Sequence, residues 1–151
     1  MKKKKKGFTL IELLVAVAIL GILATVGLGA FFSSQIKGRD AQRKSDLGQI
    51  QKALEMYLSD KGVYPAAAGI PWGGSWTDPD GSGELYMKEV PKDPHDPETK
   101  YVYEVDPLGS SWYRLYAKLE NEKDPQADPV TGTDCDTGKV CNYQVSSTNA
   151  P

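Results

Sequence analysis

The chain reads FTLIELLVAVAILGILATVGLGAFF from Phe8 to Phe32, an apolar run whose one charged residue is Glu12. As a helix that rises about 1.5 Å per residue, this run reaches about 37 Å, whereas the hydrocarbon core of a bilayer is about 30 Å thick. The run is therefore long enough to span a membrane with some tilt. Because a charge inside such a segment is costly, the Glu12 carboxylate is predicted to serve a function and to have a partner of opposite charge.

Five lysines, Lys2 to Lys6, precede the run. Lysine-rich flanks stay on the cytoplasmic side, so the remainder of the chain is predicted to lie outside the cytoplasm. A conventional cleavable secretory signal is an alternative, but its apolar region is shorter, roughly 7–15 residues, and Gly27 and Gly29 form a poor cleavage site. Without the five lysines, Lys+Arg falls from 18 to 13 against 20 Asp+Glu, a balance of −7. Such an acidic chain is not expected to bind nucleic acid through the phosphate backbone.

Residues Gly7 to Ala24 read GFTLIELLVAVAILGILA. This stretch resembles the N-terminus of the type IV pilin family, which includes the pseudopilins of type II secretion. The resemblance implies that a prepilin peptidase cleaves between Gly7 and Phe8 and that Phe8 is then N-methylated. It also implies a single-pass protein of the inner membrane with a cytoplasmic N-terminus. An assembly platform in that membrane would draw the subunit from the lipid into a helical filament of identical copies, either a surface pilus or a periplasmic pseudopilus.

Glu12 has two interpretations. Cleavage before Phe8 creates an ammonium one turn away in the same helix, and a neighbouring copy supplies another. A carboxylate in a low dielectric gains much from such a pair, so Glu12 is predicted to fix the register of assembly by meeting a neighbour's Phe8 amine. The alternative is that Glu12 only favours the positive end of the helix, an effect of about 0.3–1 kcal/mol.

The pattern becomes amphipathic after the apolar run. Apolar residues recur at helical spacing: Leu47, Ile50, Leu54, Tyr57 and Leu58. A charged band precedes them: Arg39, Asp40, Arg43, Lys44 and Asp46, with Asp40 and Lys44 in the favourable i,i+4 order. We predict one helix from about Phe8 to Asp60, which stops before Gly62 and Pro65. Its second half is expected to hold a small head on one face, and a solvated coiled-coil arm is the alternative.

The predicted fold class is α+β: a long N-terminal α-helix, with an apolar transmembrane half and an amphipathic half, packed on a small antiparallel β-sheet head. The predicted segments are a leader at 1–7, a membrane and filament-core helix at 8–32, the amphipathic half at 33–60, a Gly/Pro-rich connecting loop at 61–98, and a small sheet with a Cys-bounded loop at 99–151. Strands are predicted at Tyr101–Val105, Trp112–Glu120 and Asn142–Val145, and the tail Ser146–Pro151 is given no core role.

Two tryptophans, Trp72 and Trp76, lie in the predicted connecting loop. They are expected to pin that loop onto the helix, and contact with a neighbouring subunit or a ligand is the alternative.

Gly29 stands where many pilins carry a proline. The sequence leaves two possibilities open. This part of the helix melts locally on assembly, or Gly29 permits close helix packing.

Cys135 and Cys141 are spaced as C-x5-C, which disfavours a redox motif or a zinc knuckle. Outside the cytoplasm they are predicted to form a disulfide, whereas a reducing compartment would leave two thiols.

Four aspartates near the cysteines form a candidate calcium site, with solvated acidic turns as the alternative: Asp124, Asp128, Asp134 and Asp136. Major pseudopilins carry calcium in the corresponding region, but their glycine- and aspartate-rich spacing is missing here.

The overall prediction is a structural subunit of a pilus-like filament. Residues 39–57, 62–65 and 90–94 are similar to the major-pseudopilin branch, whereas the missing calcium pattern and the disulfide loop favour a pilus.

The alternative function is a monomeric membrane-anchored extracytoplasmic binding module that uses the loop around Trp72 and Trp76. An enzyme is not predicted, because the single histidine, His95, lies in a turn-like context and no G-x-S-x-G motif occurs.

Overall fold

The structure is a computed structural model that describes residues 7–81, 83–108, 111–128 and 132–151; the side chains of residues 26 and 27 are not described. The chain divides into two compact units, Met1–Ile36 and Lys37–Pro151. The helix α1 runs from Leu10 to Lys61 and contributes to both units. The lysines of the predicted leader lie outside the described residues.

The predicted long helix is confirmed, and both of its ends have a local cause. Thr9 precedes its first turn and caps it through its side chain. At the other end, Gly62 adopts a φ of 76°, and its amide donates to the carbonyl of Leu58 at 2.7 Å. A glycine with positive φ is the common way to end a helix, because a side chain there would be strained.

Seven short strands follow the helix, all of them in the second unit. They are β1 (Trp76–Thr77), β2 (Leu85–Met87), β3 (Val102–Val105), β4 (Tyr113–Ala117), β5 (Asp134–Asp136), β6 (Lys139–Val140) and β7 (Tyr143–Ser146). Strands β1 and β2 form one antiparallel pair, β5 and β6 form another, and β3, β4 and β7 form a three-stranded sheet with β4 in the centre. A single 3-10 turn, Ala67–Gly69, follows α1.

The three-stranded sheet is antiparallel throughout, with Leu115 paired to Tyr103 on one side and to Val145 on the other. Alternate residues of β4 therefore share one face. Tyr113 and Leu115 on that face are fully buried, as the alternation of the sequence predicts. The α+β class with a small antiparallel sheet is confirmed.

The core of the second unit forms where the amphipathic part of α1 meets this face of the sheet. Leu47, Ile50 and Leu54 are fully buried there, in one cluster with Tyr113 and Leu115. Burying a side chain of this size stabilises a fold by about 1.5–3 kcal/mol. The predicted helical stripe is thus the surface that holds the head.

The predicted connecting loop at 61–98 contains structure that the sequence analysis did not anticipate. Strands β1 and β2 pair within it, so that Trp76 and Tyr86 are buried. The ring of Tyr57 stacks on Trp76 at 5.8 Å and lies 5.1 Å from Tyr86. Trp76 therefore pins this segment to the helix, and each of the two short strands places one aromatic ring against Tyr57 of the helix.

One further expectation needs correction. The tail is not without a role, because Ser147 is buried and exchanges hydrogen bonds with Tyr113. Tyr116, on the other face of β4, is also buried, because it packs against the cysteine pair.

Candidate functional site

The first functional feature is the junction at the start of α1. Gly7 and Phe8 precede the helix and are exposed, with Phe8 80% exposed. The peptide bond between them is therefore free of packing within the described chain. The leader lysines that would flank it are not described, so cleavage and methylation stay predictions.

Glu12 takes part in a reciprocal cap at this junction. Its Oε2 accepts hydrogen bonds from the Thr9 amide at 2.8 Å and the Thr9 hydroxyl at 2.6 Å, and its own amide donates to Thr9 Oγ1 at 3.3 Å. This arrangement is a capping box, in which Thr and Glu three residues apart satisfy each other's free backbone donors. The T-x-x-E spacing of Thr9 and Glu12 is the signal in the sequence that indicates this capping box.

The capping box leaves the charge of Glu12 uncompensated. Across residues 7–81, 83–108, 111–128 and 132–151, the Glu12 carboxylate forms no ion pair. Its hydrogen bonds to Thr9 are made while the carboxylate is exposed. In an apolar environment such a carboxylate requires a counter-charge from outside the described chain.

The apolar half of α1 is exposed in the part of the chain that the structure describes. An 18-residue window of the helix has a mean hydropathy of 2.5 and is 0% buried, so its length and composition suffice to cross a membrane. At Gly21 and Gly29 an added Cβ would meet nothing within 4 Å. Contacts within the chain thus do not explain these glycines, whereas close approach of another helix would.

The strongest correction concerns the charged band. Asp40 and Arg43, two members of that band, are 2% and 0% exposed. The Arg43 guanidinium donates to Asp93 Oδ2 at 2.8 Å, to Asp40 Oδ1 at 2.8 Å and to Glu120 Oε1 at 2.7 Å. The predicted Asp40–Lys44 pair is replaced, because Asp40 binds Arg43 while Lys44 binds Asp124 at 2.7 Å.

Two carboxylates beside Arg43, those of Glu120 and Asp93, are held in their charged form. The hydrogen bond from Arg39, opposed by burial and assisted by Arg43, lowers the pKa of Glu120 to about 2. Burial alone would raise the Asp93 pKa, but hydrogen bonds from Arg43 and Thr99 keep that pKa below its ordinary value. One signal for this cluster was present: Arg43 lies one turn before Leu47, on the same helical stripe that is buried.

The cysteine pair and the four aspartates lie in the last third of the chain. Cys135 and Cys141 form a disulfide with a Cα–Cα distance of 5.2 Å. Asp134 and Asp136 flank Cys135 on β5.

These aspartates are not gathered into a metal site in the part of the chain that the structure describes. Asp124 is bound by Lys44, and no three His, Cys, Asp or Glu side chains are grouped so that they could hold a metal ion. Residues 129–131, next to Asp128, are not described. Calcium binding therefore stays a prediction.

The comparisons with known proteins agree with the N-terminal geometry. Residues 2–28 match the family described as the prokaryotic N-terminal methylation motif. Fimbrial protein EcpC of Eikenella corrodens is 42% identical over 73 residues, which cover 46% of this chain and 48% of that protein. Type IV major fimbrial protein FimA of Dichelobacter nodosus is 37% identical over 75 residues, which cover 50% of this chain and 47% of that protein.

Similarity to a secretion protein extends further along the chain. Type II secretion system core protein G of Vibrio cholerae is 33% identical over 114 residues, which cover 68% of this chain and 75% of that protein. The chain thus spans about half the length of the fimbrial relatives and three quarters of this secretion relative. No solved structure matches. The chain belongs to the type IV pilin and pseudopilin family.

Proposed function

We propose that this protein is a structural subunit of a pilus-like filament, assembled through the apolar half of α1. The observation that carries the proposal is the methylation motif at the start of a helix whose apolar residues are exposed. An apolar surface of this size must be covered by lipid or by other copies of the chain. Lipid covers it before assembly, and neighbouring helices cover it in the filament.

Processing precedes assembly in this proposal. A prepilin peptidase cleaves after Gly7 on the cytoplasmic side and Phe8 is N-methylated, which leaves the apolar helix in the inner membrane. The lysines favour this orientation. An assembly platform in the membrane then moves the subunit into the filament.

Glu12 selects the register of assembly. In the single chain its carboxylate is bonded only to Thr9, and its charge lacks a counter-ion among the described residues. The Phe8 amine of a neighbour supplies that counter-ion. Because a buried pair that loses one partner costs about 3–5 kcal/mol, subunits in the wrong register are disfavoured.

A pseudopilin role in type II secretion is favoured over a pilus role. Relatives named core protein G align with 62–74% of this chain in Pseudomonas aeruginosa, Vibrio cholerae and Dickeya chrysanthemi, and with 42% of it in Aeromonas hydrophila. The relatives named fimbrial protein or pilin align with 40–50% of it. The longer alignments, all with proteins named core protein G, support the pseudopilin role. In either machine the role is structural and not enzymatic.

The intact mass and N-terminal sequence of the protein from native membranes or sheared filaments test the processing step. A chain that begins at methylated Phe8 supports the proposal. A chain that begins at Met1 favours a monomeric membrane-anchored binding module, and one that begins near Ala30 indicates ordinary secretion.

A pair of variants tests the role of Glu12. Glu12→Ala should insert into the membrane but lower the filament yield at least about tenfold, because the neighbour's amine is left unpaired. Thr9→Ala is the matched control, since it removes the capping box and keeps the carboxylate. If Glu12 acts only as a cap, the two variants will reduce filament yield equally, and the pairing role is then wrong.

A further inference from the structure

A cavity of about 250 Å³ in the second unit is not used by filament assembly as proposed above. It is lined by Trp72, Lys92, Asp93, Asp96, Lys100 and Tyr101. These residues come from three segments: Trp72 within the predicted connecting loop, the turn that contains Lys92, Asp93 and Asp96, and the two residues directly before β3. The helix residues proposed to assemble the filament do not reach it.

The floor of the cavity is rigid because a buried ion pair holds it. Asp93 accepts hydrogen bonds from Arg43 Nε at 2.8 Å and Arg43 Nη2 at 3.1 Å, from the Thr99 hydroxyl at 2.6 Å and from the His95 amide at 2.8 Å. Asp93 is therefore held in a bidentate pair with Arg43, which also binds Asp40 and Glu120. The loop that carries Lys92 and Asp96 is fixed at the same time.

Two aromatic rings form an apolar corner of the cavity. Trp72 is half-buried, and its ring lies 6.2 Å from the ring of Tyr101 with an angle of 54° between the planes. The Tyr101 hydroxyl donates to Asp46 at 2.8 Å, which fixes the orientation of that ring. A half-exposed tryptophan held beside a fixed tyrosine offers a flat surface for the apolar face of a ligand.

Two ammonium groups stand at the edge of this corner. Lys92 Nζ lies 3.4 Å from Asp96, and the Lys92 side chain is half-exposed. Lys100 is exposed, and its ammonium forms no ion pair with any of the described residues. The lining thus carries two lysines and two aspartates, and Lys100 is the lysine of this lining that has no ion pair among the described residues.

Gly73 keeps Lys92 in place. A Cβ added to Gly73 would lie 2.5 Å from Lys92 Cε, and the residue has a φ of 73°. A side chain at this position would displace the lysine stem and strain the loop. The glycine thus permits the close approach that brings the Lys92 ammonium beside Trp72.

We propose that this cavity binds a carboxylate-bearing sugar ring, a hexuronate within an acidic polysaccharide. The C–H face of the ring lies on Trp72, its carboxylate is bound by Lys92 and Lys100, and a hydroxyl donates to Asp96. A neutral sugar would leave the Lys100 ammonium without a counter-charge among the described residues, and an aromatic acid would offer no hydroxyl donor to Asp96. The cavity holds about one ring, so the remainder of the polysaccharide runs outside it.

The test uses the full chain in a zwitterionic detergent without a sugar headgroup, because a glycoside detergent would compete. The probe is a trisaccharide of galacturonate, and its fully methyl-esterified form is the control ligand. Binding is measured by calorimetry and by tryptophan fluorescence. The acid should bind with a dissociation constant of about 1 mM, and the ester at least about tenfold more weakly, because charge-assisted hydrogen bonds are lost.

Variants locate the binding to this cavity. Lys92→Gln and Lys100→Gln should each weaken binding of the acid about tenfold. Lys88→Gln is the matched control, because Lys88 is exposed nearby but does not line the cavity. Trp72→Leu should abolish binding, and a thermal melt identical to that of the natural chain shows that the variant is folded.

Several outcomes overturn the proposal. Equal binding of acid and ester excludes recognition of the carboxylate. Equal weakening by Lys88→Gln and Lys92→Gln, or equally tight binding of a short polyglutamate, indicates general attraction to polyanions. The absence of saturable binding by the trisaccharide also overturns it. Normal filament assembly in Glu12→Ala would overturn the register role and would leave this binding result unchanged, so the two proposals can fail separately.

Discussion

Leu23 and Leu54 lie in the same helix, yet Leu23 is 62% exposed whereas Leu54 is fully buried. The charged residues show the opposite distribution, since Arg43 is fully buried in the second unit. Polarity therefore does not decide burial along α1. Burial depends on whether the chain supplies a partner surface. Residues 40–58 have such a surface, and the described side chains of residues 10–32 do not.

This comparison separates two kinds of stabilisation. The second unit carries its own hydrophobic core and its own ion pairs, so its folding is expected to be independent of assembly. The apolar segment of the first unit gains its stabilisation from lipid or from other copies. Changes in the two regions should accordingly appear in different measurements.

The largest expected effect comes from the buried arginine. Arg43→Met leaves the carboxylates of Asp40 and Asp93 buried without their partner, so the free energy of unfolding of the second unit should fall by about 3–5 kcal/mol. Urea unfolding of the full chain in detergent, followed by tryptophan fluorescence, measures it. Arg39→Gln, which alters a partly exposed pair with Glu120, should cost less than about 1 kcal/mol. Equal losses in the two variants would contradict the role of burial.

The second prediction applies one substitution to both regions of the helix. Leu54→Ala should lower the free energy of unfolding of the second unit by about 2–5 kcal/mol, because it leaves a cavity in the core. Leu23→Ala should leave that free energy unchanged. The same urea titration measures both, and a loss of stability in Leu23→Ala would show that the apolar segment is coupled to folding of the head.

The third prediction concerns the disulfide. Replacing both Cys135 and Cys141 with alanine removes the cross-link between residues separated by 6 positions, which should cost about 2 kcal/mol. Circular dichroism in detergent should show that the helix is retained, since the loss is confined to the second unit. Chemical reduction of the natural chain is the control and should shift unfolding in the same direction.

The smallest predicted effect is a dependence on pH. The pKa of Glu120 is lowered from 4.5 to about 2, so this group stabilises the folded state above pH 4.5, and that stabilisation is lost as the pH falls toward 2. Between pH 5 and pH 3 the loss should be about 1 kcal/mol, after allowance for solvent screening of this partly exposed group. Thermal melts across that range measure it, and Glu120→Gln should flatten the slope. An unchanged slope in Glu120→Gln would assign the acid sensitivity to other carboxylates.

Much of the fold could be predicted because its signals are local. The apolar run, the helical stripe of Leu47, Ile50 and Leu54, and the alternation around Leu115 each follow from periodicity. The disulfide follows from two cysteines in a chain predicted to leave the cytoplasm. The strands β1 and β2 could not be predicted from periodicity, because they span only two and three residues.

The sequence by itself determined the long helix, the exposed apolar segment and the processing motif, because each depends on residues adjacent in the chain. Only the tertiary structure decided which charges are buried and which residues meet across long separations. Arg43 and Asp93 lie 50 positions apart, and Trp72 meets Tyr101 and Lys100 only after the connecting segment folds back. A contact of this kind depends on the packing of several elements at once, and no local pattern encodes it.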